Sequence, residues 1–102
     1  MITENNIPKK FKIANQWYTI EIVDSIDGGN FGDFDCVRAR IRLARNIYSC
    51  EEYVKVTEEQ MCNTCWHELF HVFNYHMNNE TDETIAQSFA NFMREFESSA
   101  GI

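Results

Sequence analysis

Hydrophobic positions follow two different periods along this chain, and the change of period divides it into halves. Over Trp17-Tyr18-Thr19-Ile20-Glu21-Ile22-Val23 the period is two, with Tyr18, Ile20 and Ile22 on one side and Thr19 and Glu21 on the other. These β-branched and aromatic types suit a strand. Cys36-Val37-Arg38-Ala39-Arg40-Ile41-Arg42-Leu43 alternates apolar residues with arginine, so Val37, Ala39, Ile41 and Leu43 share a face opposite Arg38, Arg40 and Arg42. That alternation predicts a second strand, paired with the first. Gly28, Gly29 and Gly32, set among Asp27 and Asn30, predict a turn between the two.

From Thr57 onward the period is helical. Thr57-Glu58-Glu59-Gln60 is a capping box: the hydroxyl accepts from the N–H three residues on, and the Gln side chain reaches back to the Thr N–H. The predicted helix has Met61, Cys62, Cys65, Leu69, Val72 and Phe73 on its apolar face, with Gln60, Thr64, His67, His71 and Asn74 opposite. Asn78, Asn79, Glu80 and Thr81 interrupt the pattern, which resumes with Ile85, Phe89, Phe92, Met93 and Phe96. This predicts a second helix with Thr81 as N-cap, Asp82 and Glu83 in its first turn, and a frayed end from Ser98 to Ile102. Trp66, Phe70 and Phe73 are expected in the core or as pocket wall. The fold class expected is α+β, a short antiparallel sheet packed on a helical hairpin.

With 102 residues, 44% of them hydrophobic, the chain is long enough for one small core and too short for two, so residues 1–102 are expected to form a single domain. Sixteen acidic against nine basic residues give a net charge of −7, which argues against nucleic acid as a partner. Met1 to Lys10 is polar, without the apolar run of a signal peptide, and no stretch approaches a membrane span. The expected location is therefore the cytoplasm, with no membrane partner. In that compartment the four cysteines are expected as reduced thiols. Cys62-Asn63-Thr64-Cys65 has C-x-x-C spacing, but it falls inside the helix on the apolar face, where buried thiols are expected rather than a redox pair.

His67-Glu68-Leu69-Phe70-His71 has the pattern H-E-x-x-H within the strongest helical segment. Residues four apart differ by about 40° around a helix, so both imidazoles can bind one Zn²⁺. Glu68 points about 100° away from His67, placed to take a proton from the water such an ion would activate. A catalytic zinc site takes three protein ligands, so a third donor must come from elsewhere. His76 is turned by about 140° from His71 and does not meet the same ion easily. Glu83, in the first turn of the next helix, returns past the metal in a helical hairpin, and Ala86 and Ala90 on its side let the helices approach closely. Glu80 and Asp82 are alternatives.

The string Thr64-x-x-His67-Glu68-Leu69-x-His71, followed by Glu83-x-x-Ala86-x-x-Phe89-Ala90, resembles zinc peptidases of the ImmA/IrrE type and the related minimal gluzincins often carried by phages and mobile elements. The resemblance implies a zincin-like fold, with His67, His71 and Glu83 as metal ligands and Glu68 as general base. It is specific over Thr64 to Phe92 and only general over the strands, where family members place a sheet whose edge binds peptide. No Leu-Leu-Met-Pro stretch follows the Phe-Ala pair.

The implied chemistry is a zinc-dependent endopeptidase acting on a peptide or protein substrate, with zinc polarising the scissile carbonyl and Glu68 shuttling a proton to the leaving amine. Tyr75, His76 and Tyr48 are side chains near the motif able to donate to the oxyanion, and Tyr75 is taken as the catalytic candidate. The strand from Arg38 to Leu43 could accept an extended substrate by backbone pairing, its arginines favouring acidic side chains; alternatively these arginines pair with Glu21 and Asp24. The competing functional readings are a zincin-fold binding or inhibitory protein that cuts nothing, and a latent protease completed by a partner.

Overall fold

The computed structural model describes residues 1–13, 15–76 and 83–100, without the side chains of 97–99. Strands β1 (Lys10–Ile13), β2 (Gln16–Val23), β3 (Gly32–Asp35), β4 (Arg40–Ala44), β5 (Asn46–Ser49) and β6 (Glu52–Lys55) precede helices α1 (Glu58–His76) and α2 (Glu83–Ala100). The class is α+β. Four strands form a sheet in the order β1-β2-β4-β3, and β5 and β6 form a separate hairpin.

The sheet is mixed rather than antiparallel as expected from the sequence. β1 and β3 run antiparallel to their neighbours, but β2 and β4 are parallel, with Ile20 opposite Ile41 and Ile22 opposite Leu43. The reason is β3: the chain turns at Gly28 (φ 86°) and Gly29 (φ 73°), runs back along the outer edge, and reverses again before entering β4. The second predicted strand is also shorter than its alternation implied. Asp35 Oδ1 accepts the N–H groups of Val37 and Arg38, and Ala39 has a φ of 51°, so residues 36–39 form a turn and Val37 is 89% exposed.

β4 therefore lies inside the sheet, hydrogen-bonded on both sides. Its backbone is not open to an extended substrate, which corrects that expectation. Its arginines are engaged: Arg40 lies 3.8 Å from Glu21 and Arg42 makes a two-point pair with Asp33, while Arg45 pairs with Asp24 and Glu4. The free edge on the cavity side belongs to β3.

The core lies between the sheet and α1. Tyr18, Ile20, Ile41 and Leu43 from the sheet meet Met61, Cys65 and Val72 of the helix, joined by Val56. Cys62 and Cys65 are buried, as expected. The capping box forms as read: Gln60 N–H donates to Thr57 Oγ1 (3.1 Å) and Thr57 N–H to Gln60 Oε1 (2.9 Å). In the last turn the faces exchange, for Phe73 is 53% exposed and Asn74 is buried.

β3 sits unusually close to α1. A Cβ on Gly32 would lie 2.6 Å from Thr64 Cγ2 and 2.9 Å from the Arg42 carbonyl, so only glycine allows this approach. α2 packs against α1 through Ala86 and Ala90, both fully buried. Of the apolar period that predicted this helix, Phe92 and Phe96 are exposed, because the sheet covers the opposite side of α1. Glu80, Thr81 and Asp82 lie outside the described residues, as do Gly101 and Ile102.

Candidate metal centre

α1 presents His67, Glu68 and His71 along the side between β3 and α2. Their ligand atoms lie within 4.8 Å of one another. α2 brings Glu83 to the same point: His67 Nε2 is 2.8 Å from Glu83 Oε2, and His71 Nε2 is 3.1 Å from Oε1. The two imidazoles and the carboxylate predicted as ligands thus converge, two nitrogens facing two oxygens.

What surrounds His67 orients its ring. Its Nδ1 lies 3.1 Å from Gln87 Oε1. The Gln87 amide nitrogen is already directed at Asn63 Oδ1 (2.8 Å) and Asn91 Oδ1 (3.2 Å), and Asn63 Nδ2 donates to Asn91 Oδ1 at 3.0 Å. Gln87 can only accept from the ring, so Nδ1 carries the hydrogen. In the neutral imidazole, Nε2 then turns a lone pair towards Glu83. A proton shared along the contact satisfies it in the metal-free protein, and two imidazole nitrogens converging with one carboxylate are a donor set that fits a divalent ion. An acceptor at the far ring nitrogen is the usual means of orienting a metal-binding histidine, and here Gln87 Oε1 takes that place. Gln87, Asn63 and Asn91 were missed in the sequence; the available signal was that Gln87 stands one helical turn beyond Glu83. His71 Nδ1 is buried without a hydrogen-bond partner among the described residues, and that ring is held by packing.

Glu68 is buried, at 7% exposure. Burial pushes its carboxyl up to about 7; a charge on His67 opposes the shift, and the nearby carboxylates of Glu83 and Asp33 add to it. For Glu83 burial acts upward too, but hydrogen bonds and charge from His67 and His71 outweigh it and hold the group below its ordinary value. The two carboxyls are pushed apart, one towards exchanging a proton near neutrality and the other towards a lasting anion.

The site opens into a cavity of about 1170 Å³. Phe31, Gly32 and Asp33 of the β3 edge form one wall, and Glu83, Gln87 and Arg94 of α2 form the other. Tyr75, one turn beyond His71, lines the same cavity, with its ring edge-on to Phe34. The other oxyanion candidates are elsewhere engaged: His76 Nε2 is 2.6 Å from the Tyr18 hydroxyl, and Tyr48 stacks edge-on with Tyr53 on the exposed β5-β6 hairpin. No helix among the described residues is long and apolar enough to cross a membrane. Neither a protein-family model nor a curated protein nor a solved structure matches the chain.

Proposed function

We propose that this chain is a zinc-dependent endopeptidase, a zincin-like hydrolase similar to the ImmA/IrrE and minimal gluzincin type. The observation that supports this most is the convergence of His67 Nε2, His71 Nε2 and the Glu83 carboxylate beside a buried Glu68. The three converging groups hold the metal, whose bound form supplies Lewis acidity towards a carbonyl and activates water near neutral pH. Glu68 is the general base: its buried carboxylate takes a proton from the attacking water and returns it to the leaving amine. Gln87 fixes the ring of His67, and Tyr75 donates to the oxyanion from the cavity wall.

The substrate is a peptide or protein segment in extended form. The unpaired edge of β3 offers backbone donors and acceptors along the cavity, so a substrate strand adds to the sheet there rather than at β4. The test is cleavage of a denatured protein or a mixed peptide library by the parent chain and by Glu68→Gln, with zinc content measured on both. Cleavage by the parent and none by the variant, at equal zinc, supports the reading. Equal zinc with no cleavage by either protein favours a binding protein of the same fold, and cleavage appearing only with added lysate favours a latent enzyme.

A further inference from the structure

One face of α2 has no role in the site. Ile85, Phe89, Phe92 and Phe96 recur at spacings of four, three and four, which keeps them in a seam along one side of the helix. The buried contact with α1 runs through Ala86 and Ala90, and Phe89 is half-buried against Trp66 and Phe70 at the inner margin of the seam. Ile85, Phe92 and Phe96 are 53%, 65% and 51% exposed. Phe73 of α1 extends the seam: the Phe70 ring lies 6.1 Å from that of Phe73 and 5.1 Å from that of Phe89. At roughly 150–250 Å² per large aromatic side chain, these exposed fractions leave on the order of 400 Å² of contiguous apolar surface. A patch of that size on a small monomer ordinarily marks a contact site.

We infer that this face is a two-fold interface, and that its occupant is a second copy of this chain with the two α2 helices antiparallel. Area and charge both favour that occupant. A stable pair covers about 800 Å² on each partner, somewhat over half of it apolar. The seam supplies about that apolar share, and the exposed uncharged residues flanking it, Thr84 and Ser88, supply a polar rim. Two chains of charge −7 repel over most of their surfaces, but this seam is uncharged along its length. Nearby Arg94 is directed at Glu59. Glu95 flanks the end of the seam, and an antiparallel pair separates its two copies by about 14 Å along the helix axis, beyond the screening length of about 8 Å at physiological salt. The seam is also self-complementary. With the two-fold axis midway between Phe89 and Phe92, each Phe89 meets the other copy's Phe92, and each Ile85 meets the other copy's Phe96.

Sedimentation velocity on the whole chain, from about 1 to 200 μM, tests this directly. The parent is expected to sediment at twice the 12.0 kDa chain mass over the upper part of that range. Phe92→Glu, which sets two carboxylates at the axis, is expected to weaken association at least about tenfold with an unchanged circular-dichroism spectrum. Phe92→Ser, which removes the ring without adding charge, should weaken it less. For register, a mixture of Ile85→Cys and Phe96→Cys chains, with Cys36 and Cys50 changed to Ser, should form a mixed disulfide more readily than either chain alone. A parent that stays monomeric throughout overturns the inference, and so does a dimer that neither Phe92 variant weakens. The result is independent of whether the chain cleaves peptides.

Discussion

The two helices contribute to one site, yet they are anchored differently. α1 is held on two sides, with Met61, Cys65 and Val72 buried towards the sheet and its other flank against α2. α2 rests on α1 through two alanines, the half-buried Phe89, the Gln87 amide cluster and the Arg94–Glu59 pair, with much of its apolar residue content facing outward. His67 and His71 are therefore fixed by the core, one turn apart on a rigid element. Glu83 is 69% exposed, and its described side-chain partners are those two imidazoles. On the proposed reading, a site built across this boundary would link ion binding to the docking of α2, with ligands pre-arranged on one side and completed on the other.

The largest effect should come from the firmly held side. Glu68→Gln is expected to lower peptide hydrolysis by roughly 10²- to 10⁴-fold while zinc content stays at the parental level. Metal analysis and initial rates on the same preparation check it. Zinc lost along with activity would mean that Glu68 supports the ion rather than the proton transfer.

Next is a pH effect in metal-free protein. Folded Glu68 keeps its proton up to about 7, whereas the unfolded chain releases it near the ordinary carboxylate value. Between those values the folded state binds the extra proton, so its stability falls as pH rises through the window and levels off above it, by about 3 kcal/mol in all. Glu68→Gln lacks this loss. Urea unfolding with chelator present should show the variant gaining on the parent between pH 5 and pH 8. Parallel pH profiles would contradict the assigned burial of the carboxyl. Glu83, lowered by the histidines, contributes with the opposite sign, losing stability as pH falls, and is common to both proteins.

On the α2 side, Gln87→Ala frees His67 Nδ1 and should weaken zinc binding about 10- to 100-fold in a chelator competition, with little change in fold. Unchanged affinity would remove the amide cluster from the account. The smallest contrast is in stability. Val72→Ala, at a fully buried position of α1, should cost about 2 kcal/mol. Phe92→Ala on α2 should cost under about 0.5 kcal/mol in dilute, monomeric protein. Comparable losses would mean that α2 is packed as firmly as α1.

Much of α1 was legible because its signals are local. The capping box, the apolar period and the H-E-x-x-H spacing each lie within a few turns of one helix. The alternation of Tyr18, Ile20 and Ile22, like that of Ile41 and Leu43, correctly marked central strands. Parallel pairing was not legible, because it depends on β3, whose Gly32-Asp33-Phe34-Asp35 carries one large apolar residue and resembles a loop. Gly32 read as turn punctuation, whereas its requirement is the contact with Thr64 across the layer. The α2 pattern announced an amphipathic helix correctly but not whether anything covers its aromatic side, which is a property of the packing order. Gln87, Asn63 and Asn91 carry no common sequence signal; they are joined only by side-chain contacts between the two helices, with Gln87 alone reaching His67.

The central claim is that His67, His71 and Glu83 hold one divalent ion, and crystals grown with equimolar zinc address it most directly. An anomalous difference map at the zinc edge is predicted to show a single strong peak about 2.0–2.2 Å from both Nε2 atoms and a Glu83 carboxylate oxygen. A map with no peak between these three groups, from protein shown to be folded, would contradict it.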